Sequence, residues 1–307
     1  NRILVTLKKP VSQTRLAQIL DRFHAQIQTV HSGMGMYALN LKDPEDSRAL
    51  VAALKQEGLI HRAEPDYAYQ VPPMVRISGF PETGMAAGTP ESSFAVAILD
   101  TGIREDYAGH SFVKGTFNAL APESPAWDSA GHGTQMALIA SGRIHPLGSG
   151  PGKFSNPVLC IRAFDDKGFT SNSILMKSMD YALENGARVL SLSWGSETRS
   201  VFLESAVNYA ASRGLVIVAS AGNSPTGRPM YPAAYDSVLA IAALNPDGTL
   251  WDQSNYGEFV DLAAPGFAGL PVGYEGDPGT YAGTSISTAY VAGKLAAWLR
   301  LSSVGEK

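Results

Sequence analysis

Four polar residues are of types, and in local settings, that could carry chemistry: Asp100, His132, Asn223 and Ser285. Asp100 closes the apolar run Phe94–Leu99, and a carboxylate at the C-terminal end of a buried strand lies where α/β proteins build their sites. His132 sits in Gly131-His132-Gly133-Thr134 and is the only one of the six histidines with glycine on both sides. Those glycines leave the ring open to close approach. Asn223 ends the turn Ala221-Gly222-Asn223, and its amide is a donor an oxyanion could use. Ser285, in Gly283-Thr284-Ser285-Ile286-Ser287, precedes a helical stretch. A hydroxyl there can cap the helix or act as a nucleophile, because free N–H groups and the helix dipole favour a nearby oxyanion. Taken singly, each residue has a plainer reading: a turn aspartate, a structural histidine, a turn asparagine and a helix cap.

The elements that would position them read as an α/β domain over 94–307. Continuous apolar runs at Phe94–Leu99, Val158–Ala163, Val189–Ser193, Leu215–Ala219 and Val238–Ala243 predict strands buried on both faces. Helical spacing lies between several of them: Ile174, Leu175, Met179, Ala182 and Leu183 before Gly186, and 201–213 before Gly214. Strands alternating with helices imply βαβ units and a parallel sheet. A short helix is predicted over Gln135–Ala140 and a longer one after Ser285, to about Leu301.

Residues 1–71 follow a different pattern. A strand at Ile3–Leu7 precedes a helix over Thr14–Gln26, whose Leu16, Ile19, Leu20 and Phe23 form one face. A hairpin at 26–41, a helix from Pro44 to Gln56 and a strand from Leu59 complete a β-α-β-β-α-β order, the ferredoxin-like pattern. Residues 72–93 are crowded with proline and glycine and read as a linker.

Composition removes several function classes. The chain has 307 residues and a net charge of −4, with 45% hydrophobic residues. Its pI of about 5.9 argues against a nucleic-acid partner, which would call for a basic face. No membrane span of 18 apolar residues occurs. The single cysteine, Cys160, lies in an apolar run, which excludes an internal disulfide and a cysteine-based zinc site. Gly148–Lys153 superficially suggests a phosphate loop. It fails because Leu147 stands where the first glycine belongs and Phe154 where a serine or threonine should follow.

Aspartate, histidine and serine occur in the chain order of subtilisin. The sequence resembles the subtilase family over nearly its whole length. Ala97–Ile103 is similar to the family's aspartate motif, Gly131–Thr134 to its histidine motif, Gly283–Ser285 to its serine motif and Ala221–Asn223 to its oxyanion segment. Smaller matches are Ser254-Asn255-Tyr256-Gly257 and Asp261–Gly266. The resemblance implies a subtilisin-like parallel sheet flanked by helices, preceded over 1–71 by a small α+β propeptide domain that inhibits the enzyme and assists its folding. It implies a serine endopeptidase with Asp100, His132 and Ser285 as catalytic residues and Asn223 in the oxyanion hole. Ser193, Trp194, Gly195, Ser220, Ala221, Gly222 and Met230 would bind substrate.

Further expectations follow from the same resemblance. Protein or peptide substrates would lie in the cleft as an added strand, and Tyr67–Val71 of the propeptide would occupy that cleft. Met230 would shorten the specificity pocket and favour small or medium side chains, unless it points away. The chain departs from the family at Gln135, where a second histidine is usual, at Ala289, where proline is usual, and at Trp194, where leucine is common. No cofactor is needed for catalysis. The family's calcium site near Ser141–Asn156 lacks carboxylates here; structural calcium is possible but not indicated, with Asp165-Asp166 and Glu275 with Asp277 as loose candidates whose plainer reading is solvated loop charges. Asn1–Val5 reads as the start of a strand and not as a signal peptide, so a signal could have been removed before it. Secretion or the cell envelope is implied by the propeptide resemblance alone. The alternative function is a subtilase-like binding or regulatory module held inactive by an uncleaved propeptide. The Pro72-Pro73 pair in the expected cleavage region keeps that alternative open.

Overall fold

A computed structural model describes residues 2–72, 74–78, 85–86, 94–150, 154–273 and 278–304. The chain divides into two compact units, 1–68 with 171–177, and 69–170 with 178–307.

The first unit contains β1 (Arg2–Leu7), α1 (Gln13–Arg22), β2 (Gln26–His31), β3 (Met36–Asn40), α2 (Ser47–Gln56) and β4 (Ile60–Pro65). The strands form one sheet in the order β2-β3-β1-β4, and its neighbouring strands pair antiparallel. Leu16 and Leu20 of α1 and Leu50 and Leu54 of α2 meet Ile3, Val5 and Leu39 in a buried cluster. Helix α1 ends four residues earlier than its periodicity predicts. His24 turns with φ of 47°, and Gln26 already belongs to β2. The helix predicted from Pro44 begins as a 3₁₀ turn, Pro44–Asp46, where Asp43 accepts from the Glu45 N–H at 2.9 Å. Within this unit, Asp66 accepts from the Ser173 N–H at 3.1 Å and its hydroxyl at 2.7 Å.

The remaining elements are β5 (Ala68–Gln70), β6 (Val75–Ile77), β7 (Ala95–Asp100), α3 (Glu105–Ala108), β8 (Val113–Asn118), α4 (His132–Ala140), β9 (Val158–Arg162), β10 (Phe169–Ser171), α5 (Asn172–Glu184), β11 (Ala187–Leu192), α6 (Val201–Ser212), β12 (Val216–Ser220), β13 (Val238–Leu244), β14 (Leu262–Pro265), β15 (Phe267–Leu270), β16 (Gly279–Ala282) and α7 (Thr284–Val304). A seven-stranded parallel sheet runs β14-β13-β12-β11-β7-β9-β8, giving the α/β architecture expected from the sequence. All six residues of β7 are buried. From β7 the later strands go to opposite sides, β9 and β8 one way and β11 to β14 the other. Such a reversal leaves a crevice at the C-terminal strand ends, where ligands of open α/β sheets bind. Asp100 ends β7 at that crevice, and Ser193-Trp194-Gly195 follows β11.

Helices α4 and α7 pack on each other and carry much of the core. The Asn156 amide donates to Ala140 O at 3.1 Å and Gly293 O at 2.9 Å, tying the end of α4 to the middle of α7. A three-stranded antiparallel sheet, β15-β16-β6, borders this unit. Its strand β6 falls inside the stretch read as a linker from its prolines and glycines. Among the described residues no helix is long and apolar enough to cross a membrane.

Candidate active site

Asp100 and His132 form the centre of the site. Both side chains are buried, with His132 Nδ1 2.7 Å from Asp100 Oδ1. The same oxygen accepts from the Thr101 N–H at 2.8 Å and its hydroxyl at 3.3 Å. A carboxylate only accepts, so Nδ1 carries the ring proton and Nε2 is left as the basic nitrogen.

His132 is the first residue of α4 rather than part of the loop before a helix starting at Gln135. The extra turn forms because Asp128 satisfies its N–H groups. Asp128 Oδ1 accepts from the Gly131 N–H at 2.7 Å, and Oδ2 accepts from the Thr134 N–H at 2.8 Å and its hydroxyl at 2.6 Å. The flanking glycines have a steric reason. Gly131 has φ of 89°, and a Cβ there would stand 2.2 Å from Gly273 O. A Cβ on Gly133 would stand 2.4 Å from Gly102 O. Sequence reasoning passed over Asp128 and gave Thr134, the last residue of the histidine motif, no role of its own; the available signal was an acidic residue within about one turn of a helix start.

Ser285 is the second residue of α7 and is buried. Its hydroxyl has no hydrogen-bond partner among the described residues. Asn223 Oδ1 accepts from the Thr284 N–H at 2.9 Å and its hydroxyl at 2.8 Å. Those two donors fix the amide orientation and turn Nδ2 the other way. A Cβ on Gly283 would lie 3.4 Å from that Nδ2, so glycine keeps the approach to the amide open. The Ser193 hydroxyl donates to Ser285 O at 3.5 Å.

A pocket of about 310 Å³ adjoins Asn223 and is lined also by Gly195, Ser220, Gly222 and Met230, with Pro72 and Val75. A Cβ on Gly195 or on Gly222 would each meet Met230 at 3.4 Å, so the Met230 side chain lies against both glycines. Ser193, Trp194 and Ala221 are not among its lining residues. Trp194 is fully buried, donates from Nε1 to Leu99 O at 3.1 Å and packs edge-on against Tyr69 with ring centroids 5.6 Å apart. Gln70 forms an antiparallel bridge with Gly195, and the Val71 N–H donates to Gly168 O at 3.0 Å.

Burial, followed by the charges of Asp128 and Asp100, pushes the Cys160 thiol well above its usual range, so it supplies no thiolate. Among the described residues, no group of three or more His, Cys, Asp or Glu could hold a metal ion. Asp165 accepts from the Lys167 and Phe169 N–H groups at 2.9 and 2.8 Å. Hydrogen bonds from Ser129 and Arg162 hold the Asp166 carboxyl below the usual carboxylate range. Glu275 and Asp277 lie outside the described residues.

The model of the Subtilase family matches residues 91–302. The chain belongs to the subtilase family. This subtilase is 31% identical over 274 residues to the "Thermophilic serine proteinase" of Bacillus sp. (strain AK1), covering 81% of the chain and 65% of that protein. It is 34% identical over 215 residues to thermitase of Thermoactinomyces vulgaris, covering 66% of the chain and 73% of thermitase. Fervidolysin from Fervidobacterium pennivorans, described as a keratinolytic enzyme related to subtilisin, shares the fold with a TM-score of 0.74 at 20% identity. That match covers 96% of this subtilase and 54% of the fervidolysin chain. The subtilase therefore spans about two thirds of the Bacillus relative's length and about half of fervidolysin's.

Proposed function

We propose that this subtilase is a serine endopeptidase that hydrolyses protein and peptide substrates through an acyl-enzyme. The observation that carries the reading is the 2.7 Å contact between His132 Nδ1 and Asp100 Oδ1, buried in a chain that presents Ser285 at a helix N-terminus. Ser285 Oγ attacks the scissile carbonyl carbon while His132 Nε2 takes its proton. Asp100 keeps the ring in that tautomer and stabilises the imidazolium. Asn223 Nδ2 and the Ser285 N–H stabilise the tetrahedral oxyanion. His132 then protonates the leaving amine. Water attacks the acyl-enzyme by the same route in reverse and restores the Ser285 hydroxyl. A serine-directed organophosphate should add to Ser285, and casein should be hydrolysed. A folded chain that reacts with neither refutes the proposal.

Two substitutions test parts of the site. Asn223→Ala removes the side-chain donor and is expected to lower kcat by about 10²–10³, the range known for the equivalent donor of subtilisin, with KM little changed. An unchanged kcat removes Asn223 from the mechanism. Met230→Gly should deepen the pocket and shift cleavage toward Phe and Tyr before the scissile bond. A peptide library in which the parent already prefers those residues contradicts a pocket shortened by Met230.

Residues 1–71 are read as a propeptide, made with an enzyme that acts outside the cell or in its envelope. The pairing of Gln70 with Gly195 and of Val71 with Gly168 supports a tail lying in the peptide cleft as a strand. A second reading, a module held inactive by an uncleaved propeptide, is favoured by Pro72 lining the pocket with Pro73 next in sequence. Proline after a scissile bond is poorly cleaved. Mass and N-terminal analysis of the incubated chain separates the two: loss of about 70 residues indicates a processed zymogen, and an intact, unlabelled chain indicates the inert module.

A further inference from the structure

We propose that Asp128 is a positioning residue for His132, a second buried carboxylate that holds the imidazole through the backbone rather than by touching it. The inference rests on His132 being the general base. His132 stands between two glycines, the residue type with the greatest backbone freedom, so neighbouring side chains do not fix its peptide planes. What does fix them is a closed set of bonds with Asp128 at its hub. Asp128 is 6% exposed and accepts from Gly131 and twice from Thr134, the residues just before and two after His132.

The same set reaches the Asp100 loop. The Thr134 hydroxyl, which donates to Asp128, accepts from the Arg104 N–H at 2.9 Å. The Asp128 N–H donates to Ile103 O, and the Ile103 N–H donates to Ala126 O, both at 3.0 Å. The Gly133 N–H donates to the Thr101 hydroxyl at 2.8 Å. The segment that follows Asp100 at the end of β7 and the start of α4 are therefore laced together on both sides of the contact between Asp100 and His132. The Asp128 charge also sits at the N-terminus of α4, where the helix dipole favours it. Misplacing a catalytic group by about 1 Å can cost on the order of 10²-fold in rate.

Asp128→Asn keeps the shape and an acceptor for Gly131 but turns an amide NH₂ toward the Thr134 donors. The full-length variant is expected to be labelled at Ser285 by diisopropyl fluorophosphate about 10- to 100-fold more slowly, with a matching loss in kcat and little change in KM. The low-field proton resonance of His132 Nδ1–H should shift or broaden. A folded Asp128→Asn protein with unchanged labelling rate and unchanged resonance overturns the proposal. So does one in which only the melting temperature falls, since that marks a helix cap and nothing more. If the parent chain is never labelled, the peptidase reading has failed, and the resonance alone judges Asp128. Should Asp128→Asn not fold, Thr134→Val and Thr134→Ser decide: the valine variant should react more slowly, and the serine variant should recover much of the loss. Equal rates in those two overturn the proposal.

Discussion

Replacing Ser285 with alanine is expected to lower turnover by about 10⁶-fold, the scale measured when the subtilisin nucleophile is removed. The neighbouring hydroxyls are already committed. Thr284 donates to Asn223, Ser287 to Ala264 O at 2.8 Å and Thr288 to Thr284 O at 2.7 Å. Cys160 is buried with its thiol pushed up, so it offers no thiolate in place of the serine. Steady-state assay with a chromogenic peptide measures the loss. Because the Ser285 hydroxyl makes no hydrogen bond with the described residues, its removal should leave thermal unfolding unchanged or slightly delayed. The variant is also expected to keep full length under conditions that process the parent. A loss of less than about 100-fold, well short of that scale, would mean that Ser285 is not the nucleophile.

Asp100→Ala is expected to cost about 10⁴-fold in kcat. Asp100 Oδ1 faces three donors at once, the His132 Nδ1–H and the backbone N–H and hydroxyl of Thr101. Alanine leaves that buried N–H unsatisfied, at roughly 1–3 kcal/mol of stability, so the loop carrying Thr101 loosens as well. Asp100→Asn separates the contributions. The Thr101 N–H demands an oxygen at the Oδ1 position, which opposes rotating the new amide so that NH₂ faces the ring. Asparagine should therefore keep the hydrogen bond and lose only the charge, and retain more activity than alanine. Equal kcat for the two variants, measured on folded protein, contradicts that account.

Much of this arrangement was legible in the residues, and the limits have physical causes. Strands β7, β9, β11, β12 and β13 lie inside the parallel sheet, and double-sided burial writes itself as a continuous apolar run. The edge strands β8 and β14 were not legible. VKGTFN alternates exposed with partly buried positions and LAAP is only four residues long, so neither shows a continuous apolar run. Strand β6 was hidden by its setting, since only three residues pair with β16 between prolines and glycines. At the site, the flanking glycines singled out His132, which the structure places against Asp100, while Asp128 stayed unread because its signal, an acidic residue just before a helix start, requires the helix to begin at His132 rather than at Gln135. The pocket differed in another way. Trp194 occupies a motif position adjoining it, but its volume is spent behind the wall, against Leu99 and Tyr69.

On the proposed propeptide reading, Tyr69–Val71, whose Gln70 bridges to Gly195, lies in the substrate cleft while β6, a few residues later in the same chain, is anchored to β16. A peptide tethered so closely meets its binding groove at an effective concentration in the millimolar range, whatever the protein concentration. On that reading, diluting the intact chain does not change its occupancy, and a substrate would have to compete with a tethered neighbour. One cut between Val71 and β6 turns that constant into a variable. The same strand then binds as a separate peptide, and its occupancy falls as the solution is diluted.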